Sequence, residues 1–362
     1  MTDHPILFIP GPTEVDAELR QILAMPLIGH RDKRFVAEVQ AVCAKLETLF
    51  LTAGAAQGGA TLFENAPATA LMEAGIRNLV PRGARVLHLV CGAFSERWAK
   101  ISKACGRAAE TITVPWGESV TPAALRHALT TAPQPFAAVC ITHCETSTSV
   151  LAPLQQLAET VREHAPDTLV LCDTVTSLAG AELQFDAWGL DLAFAGTQKC
   201  LALPPGLVVY AVSPRAVERA ATVDERGFLL DFLAARAGLA EGKTLATPNV
   251  PLVYALSAQL DRIATEGLPA RWRRHLAMQQ RTLAFAADHG MVPLAPEGCR
   301  SPTVTALRAT GHDIAELAAR ARTAGFAFDQ GYGKLKGEAF RIGHMGDHTE
   351  SRLQRLLDAL VA

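Results

Sequence analysis

Two residues of this 362-residue chain have the types and the placing to do covalent chemistry. Asp173 closes the apolar run TLVLC (168–172), and Lys199 follows DLAFAGTQ (191–198) and precedes CLALPPG. Each run reads as a buried strand, and ligands of open α/β sheets bind beyond the carboxyl ends of the strands. The acid and the amine therefore meet at one edge of a sheet. A lysine amine condenses with aldehydes, and a buried carboxylate keeps a pyridine nitrogen protonated so that the ring accepts electrons. That pairing suits pyridoxal phosphate. The same two residues also fit a plainer arrangement, an aspartate capping a loop and a lysine on the surface.

The elements that must position them alternate in type. Strands are expected at 86–91 (VLHLVC), 109–114 (AETITV), 136–142 (FAAVCIT), 168–172, 191–195 and 207–212 (LVVYAV), with helices over 95–105, 122–130 and 154–164. Thr121-Pro122 is a cap followed by a first-turn proline. Apolar strands separated by helices predict a mostly parallel sheet covered on both faces. The pattern changes after Thr247-Pro248. Residues 252–289 read as helical with a break near Gly267-Leu268-Pro269. A strand at 303–308, a helix over 312–323, strands near 326–329 and 339–342 and a helix from 349 follow. The expected organisation is an arm over 1–20, a large α/β domain over 21–250 and a smaller α+β domain over 251–362. Within the arm, PGPTEV has no regular structure to offer.

Composition narrows the function classes. Hydrophobic residues are 49% and charged residues 19% of the chain, which supplies a large core and excludes a disordered chain. A net charge of −2 leaves no electrostatic footprint for nucleic acid or for a polybasic membrane surface. The eight cysteines lie largely in apolar runs and read as reduced core thiols. Cys140 and Cys144 form the one closely spaced pair, without a second pair at zinc spacing, so no metal site is expected. The N-terminus has no basic segment ahead of an apolar one, and no run reaches the ~18 apolar residues of a membrane span. These features suggest a soluble cytoplasmic protein.

Eight segments occur in an order that carries more information than any one of them: IPGPTEV (9–15), IGHRDKRF (28–35), GAFSERWAKI (92–101), THCETSTSV (142–150), CDTVTSLAG (172–180), GTQKCLALPPGL (196–207), TPNVPLVYAL (247–256) and KGEAFRIGHMGD (336–347). Together they resemble the class V aminotransferases of fold-type I, and within them the alanine/serine–glyoxylate (or pyruvate) group. The resemblance spans nearly the whole chain, and QK-x-L-x-x-PPG and FRIGHMGD are its most specific parts. It implies an α/β fold of the fold-type I kind, pyridoxal 5'-phosphate as cofactor, and a homodimer.

The resemblance also implies roles. Lys199 matches the lysine that joins the cofactor and then moves a proton between substrate Cα and cofactor C4′. Asp173 matches the partner of the pyridine nitrogen, and Val175 and Phe94 match the residues on the two faces of the ring. Phe94 taken alone is more often an ordinary core residue. Thr146 matches the hydroxyl that contacts the phenolic oxygen, although a lone threonine often bonds only to backbone. Pro67-Ala68-Thr69 stands where the family has a Ser-Gly-Thr type of turn for the phosphate, with Glu73 on the following helix. Pro67 has no N–H, so one donor is lost, while Ala68 and Thr69 keep theirs. Gln198 matches another phosphate contact. Thr247 matches a residue that reaches the phosphate from the neighbouring subunit, which would share each site across a dimer. Arg341 matches the arginine for the substrate α-carboxylate, with an internal ion pair as the competing reading. His30, Arg31 and His344 are candidates for the mouth of the site. Cys144 and Ser149 depart from the family's Asn or Gly and Gly without removing a reactive group.

The activity implied is ping-pong transfer of an amino group from a small amino acid, serine or alanine, to a small 2-oxo acid, glyoxylate or pyruvate. A 2-aminoethylphosphonate–pyruvate aminotransferase is the near alternative, with Arg31 as its extra cation. A cysteine desulfurase or related lyase would need a mobile thiol, for which Cys299 is the sole candidate. A non-catalytic cofactor-binding relative is a further alternative, kept open by Pro67.

Overall fold

The computed structural model describes residues 4–361. The chain begins with β1 (Ile6–Phe8) and a short helix α1 (Ala17–Leu23). Helix α2 (Lys33–Phe50) starts where the Asp32 carboxylate accepts the Arg34 N–H, and it buries Phe35, Val39, Val42, Leu46 and Leu49 along one face. There follow β2 (Ala60–Glu64), α3 (Ala68–Leu79), β3 (Arg85–Val90), α4 (Ala93–Ala104), β4 (Ala108–Thr113), α5 (Pro122–Thr131) and β5 (Ala138–Thr142). A tight hairpin of β6 (Cys144–Glu145) and β7 (Val150–Leu151) leads to α6 (Leu154–His164), β8 (Leu169–Asp173), β9 (Leu192–Gly196) and β10 (Val208–Val212).

Seven of these strands form one sheet in the order β2–β10–β9–β8–β5–β3–β4. Only β10 runs against its neighbours; the pairs β3–β4, β3–β5, β5–β8 and β8–β9 are parallel. Every residue of β2, β5, β8, β9 and β10 is buried. Helices cover both faces, which is why most of these strands read as unbroken apolar runs. The mostly parallel α/β sheet expected from the sequence is thus present, with one antiparallel strand inside it. In the register, Asp173 stands opposite Thr142 on one side and Phe194 on the other, so the carboxyl ends of β5, β8 and β9 lie side by side.

Beyond β10 come α7 (Pro214–Ala221), α8 (Phe232–Ala240), α9 (Val250–Glu266) and α10 (Leu268–Asp288), the last two divided at Gly267 with φ +79°. The chain ends with β11 (Val292–Pro293), β12 (Val304–Arg308), α11 (Ile314–Thr323), β13 (Phe326–Phe328), β14 (Ala339–Gly343) and α12 (Glu350–Val361). β11, β12 and β14 form an antiparallel sheet, and β1 pairs in parallel with β13. Two main apolar clusters result. One surrounds the large sheet and takes in Leu252, Val253, Leu256 and Leu260 of α9. The other joins Phe8 of β1 to Met278, Leu307, Phe326, Phe340, Ile342 and Leu353. The N-terminal segment thereby crosses from the large sheet's side to the second cluster, passing the ends of β8 and β9 on the way.

Candidate active site

Asp173 is the last residue of β8 and is 3% exposed. Its Oδ1 accepts the Val175 N–H at 2.9 Å, and among the described residues no cation pairs with it. Burial pushes its carboxyl up to about 7, against the pull of that N–H and of the charges on Lys199 and Arg97. Lys199 is 9% exposed and leaves β9 through a turn closed by the Thr197 hydroxyl, which donates to Pro204 O at 2.7 Å. The Lys199 amine donates to the carbonyl of Pro10. A Cβ on Gly11 would lie 2.7–2.9 Å from the end of the lysine chain, so only glycine lets this segment pass. Burial pulls the Lys199 ammonium down to about 8, and the charge of Arg341 acts in the same direction. A buried acid that resists ionising thus lies within electrostatic reach of a buried amine that gives up its proton more easily than a free lysine.

Arg341, on β14, is 5% exposed. Its Nε and Nη2 both lie 2.8 Å from Asp329 Oδ1, and its Nη1 donates to Thr146 O at 2.9 Å. The ion pair that competed with the substrate role in the sequence is therefore present. Of the five N–H bonds of a guanidinium, one on each Nη is left over. The Tyr332 ring lies beside it, 5.3 Å from its Cζ. The Thr146 hydroxyl is 2.5 Å from that of Thr176. Phe94 is half-buried at the start of α4 and stacks on Tyr332, with ring centres 5.7 Å apart and planes 15° from parallel. Val175 is likewise half-buried.

Four further residues escaped the sequence reading. Glu145 is fully buried, and its carboxylate accepts the N–H groups of Phe94, Ser95 and Ser147 and the hydroxyls of Ser95 and Ser147. It neutralises the start of α4 and so fixes the Phe94 backbone. Gly92 is required beside it, because a Cβ there would collide with the carboxylate. The signal lay in ETSTS, read only for its hydroxyls. Asp329 and Tyr332 sit on a glycine-rich loop with no periodicity to mark it. Buried Arg271 donates at 2.8 Å to the carbonyl of Cys200, next to Lys199, and at 2.9 Å to Asp347. It braces the lysine turn against the segment that follows β14.

Helix α3 begins at Ala68 with Pro67 as its cap residue and no side-chain cap. Ala68 is buried and Thr69 exposed, and Arg97 Nη1 lies 3.5 Å from the Thr69 hydroxyl. Glu73 points away to Arg77, 3.5 Å distant. Gln198 is half-buried and folds over Gly196, where a Cβ would collide with its amide. Thr247 is exposed, and its carbonyl accepts from Asn65 Nδ2 at 2.7 Å, while the Asn249 N–H donates to Asn65 Oδ1 at 3.0 Å. The 247–249 loop is thereby tied to the residues just ahead of the Pro67–Thr69 turn. Arg31 is exposed ahead of α2 with His30 half-buried beside it, and none of these polar contacts includes them.

Other candidates prove to be framework. His344 is buried, bonds to the Thr305 hydroxyl at 2.8 Å and is held neutral, its pKa driven by burial to about 3. Cys144 donates to Ser301 at 3.0 Å, and burial pushes its thiol up to about 12. Ser149 has φ +61°, which explains why glycine would suit that position. All eight cysteines are unpaired thiols, and Cys299 is only half-buried. Among the described residues no cluster of His, Cys, Asp or Glu is arranged for a metal ion, and no helix is long and apolar enough to cross a membrane.

These residues fit pyridoxal phosphate. The Asp173 carboxylate lacks the cation that a protonated ring nitrogen would be, the Lys199 amine is drawn down by burial to about 8, and the uncapped first turn of α3 offers N–H groups to a phosphate. Comparison with known proteins gives an independent answer. The family model described as aminotransferase class-V matches residues 54–333. An uncharacterized aminotransferase of Methanocaldococcus jannaschii is 36% identical over 94% of this chain and 88% of its own length. An L-aspartate–glyoxylate aminotransferase of Paracoccus denitrificans is 31% identical over 97% of this chain and 89% of its own. The crystal structure of an alanine–glyoxylate aminotransferase from Nostoc sp. superposes with a TM-score of 0.91 at 32% identity, covering 99% of this chain and 94% of that one. Similarity that runs through both apolar clusters and through the Asp173–Lys199 edge shows that the chain belongs to the class-V aminotransferases, enzymes that work with pyridoxal phosphate.

Proposed function

We propose that this enzyme moves an amino group from a small amino acid, alanine or serine, to a small 2-oxo acid, with glyoxylate as the leading acceptor and pyruvate the other. Glyoxylate is the acceptor in both of the functionally named relatives above. The observation that carries the site assignment is the pair of buried groups, Asp173 and Lys199, at the ends of adjacent parallel strands with Arg341 beside the lysine. The cofactor, when bound, supplies an aldehyde for amino groups and a ring that takes up the electrons of the substrate Cα–H bond.

The chain's own residues do the rest. Lys199 would anchor the cofactor and carry the α-proton, as an amine whose burial draws it down to about 8 and so closer to the working pH than a free lysine. Asp173 holds the ring nitrogen, its charge restored by the cation it pairs with. Phe94 and Val175 confine the ring, and Thr146 donates to its phenolic oxygen. Ala68, Thr69 and Gln198 take the phosphate. Arg341 presents its remaining N–H bonds to the α-carboxylate of each substrate in turn, oriented by Asp329 and Thr146.

In this reading the enzyme is a cytoplasmic homodimer in which Thr247 completes the partner's phosphate site, and Arg31 lies at the mouth on the substrate side. The chain divides into an arm to residue 20, a large domain to 250 and a small domain to 362. The aminoethylphosphonate alternative is not favoured, since exposed Arg31 joins none of the contacts that build the site. A panel of amino donors tests the substrate class, read as conversion of bound cofactor from its aldehyde to its amine form. Alanine or serine should convert it and glyoxylate restore it; conversion by 2-aminoethylphosphonate alone would overturn the reading.

A further inference from the structure

The phosphate end of the site presents a shortfall of donors. Pro67 contributes no N–H, no side chain caps α3, and the Ala70 N–H is already given to Pro67 O at 2.8 Å. Two backbone N–H groups, the neutral donors of Thr69, Gln198 and Thr247, and about half a positive charge at a helix end leave the charge of a phosphate with close to two negative charges incompletely balanced. A nearby cation would make up the difference.

We infer that Arg97 is a further cofactor-binding residue, its guanidinium taking the phosphate of pyridoxal phosphate at the first turn of α3 in place of the donor that Pro67 lacks. This rests on the site proposed above. Four observations support it. Trp98 Nε1 donates to Met72 O at 2.9 Å, which pins α4 against α3 and sets the preceding residue beside the α3 start. Side chains on a helix lean toward its N-terminus, and the Arg97 guanidinium accordingly lies back over the Phe94 ring, 4.8 Å from its centre, with Nη1 3.5 Å from the Thr69 hydroxyl. Among the described residues Arg97 has no carboxylate partner. Its other contact is the Tyr332 hydroxyl at 3.1 Å, which steers the guanidinium without neutralising it. Its positive charge also pulls the Asp173 carboxyl down. By contrast Arg77, the other arginine near this helix, is engaged by Glu73 and by the Glu225 carbonyl.

The test separates the phosphate from the rest of the cofactor. Full-length wild type, Arg97→Met and Arg97→Lys are stripped of cofactor and titrated with pyridoxal 5'-phosphate and, separately, with pyridoxal. One lost charge-assisted contact predicts roughly 10- to 100-fold weaker binding of pyridoxal 5'-phosphate to Arg97→Met. Pyridoxal affinity should stay unchanged and Arg97→Lys should recover part of the loss. The ³¹P resonance of bound cofactor should shift in Arg97→Met. If both variants keep the wild-type preference for the phosphorylated form, the inference is overturned. It is equally overturned if cofactor affinity holds and only dicarboxylic donors suffer in KM, which would assign the guanidinium to substrate. Borohydride reduction keeps the two levels apart: cofactor fixed to Lys199 in all three proteins upholds the site whatever Arg97 does, and its absence in wild type removes the site and this inference with it.

Discussion

Glu145→Gln isolates what one buried carboxylate does for the cofactor pocket. Glu145 Oε2 accepts the N–H groups of Phe94 and Ser95 at 3.1 and 3.0 Å, and Oε1 accepts the Ser147 N–H at 3.2 Å. The hydroxyls of Ser95 and Ser147, at 2.9 and 2.6 Å, can rotate to accept instead of donate, but backbone N–H groups cannot. Whichever way the glutamine amide is flipped, at least one buried backbone N–H then faces an NH₂ group. Each flip strands one, Ser147 or Ser95, because the Phe94 N–H reaches both oxygens. An unsatisfied buried donor costs about 1–3 kcal/mol, and loss of a charge at a helix N-terminus adds roughly 0.3–1 kcal/mol. The expected loss is therefore about 1–4 kcal/mol, read as a lower urea midpoint at unchanged slope. Because the strained group adjoins Phe94, cofactor affinity should fall as well, and Ser147→Ala should be milder on both counts. A Glu145→Gln protein as stable as wild type, with cofactor affinity intact, would refute the reasoning that this carboxylate sets the α4 start.

Asp173→Asn should abolish transamination yet stabilise the cofactor-free protein at pH 8. Burial raises the Asp173 carboxyl from its ordinary 3.8 to about 7, so between those values the folded state holds a proton that the unfolded chain has lost, and stability falls as pH rises through that window. At about 1.4 kcal/mol per pKa unit the variant should gain roughly 4 kcal/mol at pH 8 and nothing near pH 4; equal stability at both pH values in urea titrations would exclude an unpaired buried acid. Arg341→Lys keeps the charge but cannot span Asp329 and Thr146 together, so KM for both carboxylate substrates should rise roughly 10- to 100-fold with a smaller change in kcat. Steady-state kinetics showing unchanged KM would remove Arg341 from the substrate site.

Much of the large sheet was legible because its inner strands are buried on both faces and so carry unbroken apolar runs. Helix α6 begins and ends where its pattern says, at Leu154 and His164. The start of α4 was read two residues late. Its acceptor is Glu145, some fifty residues downstream, and a local reading of GAFSER cannot register a cap from another element. Strand β2 and helix α2 were not anticipated, α3 was expected only through the resemblance, and the antiparallel run of β10 has no compositional mark, since a strand buried on both faces looks alike in either direction. At the site, the strand ends singled out Asp173 and Lys199 as candidates, but a loop cap and a surface lysine fit those ends too; the ordered motifs around them carried the reading. The partners of Arg341 were not readable, because Asp329 and Tyr332 lie on a loop shaped by positive φ at Gly331, Gly333 and Gly337.

The central claim is that Lys199 carries the cofactor. Borohydride reduction of the loaded enzyme, followed by peptide mapping, measures this directly. The account predicts a pyridoxyl adduct on Lys199 and, in Lys199→Ala, loss of both the adduct and the visible absorbance of bound cofactor. An adduct on another lysine, or an unaltered spectrum in Lys199→Ala, would contradict it.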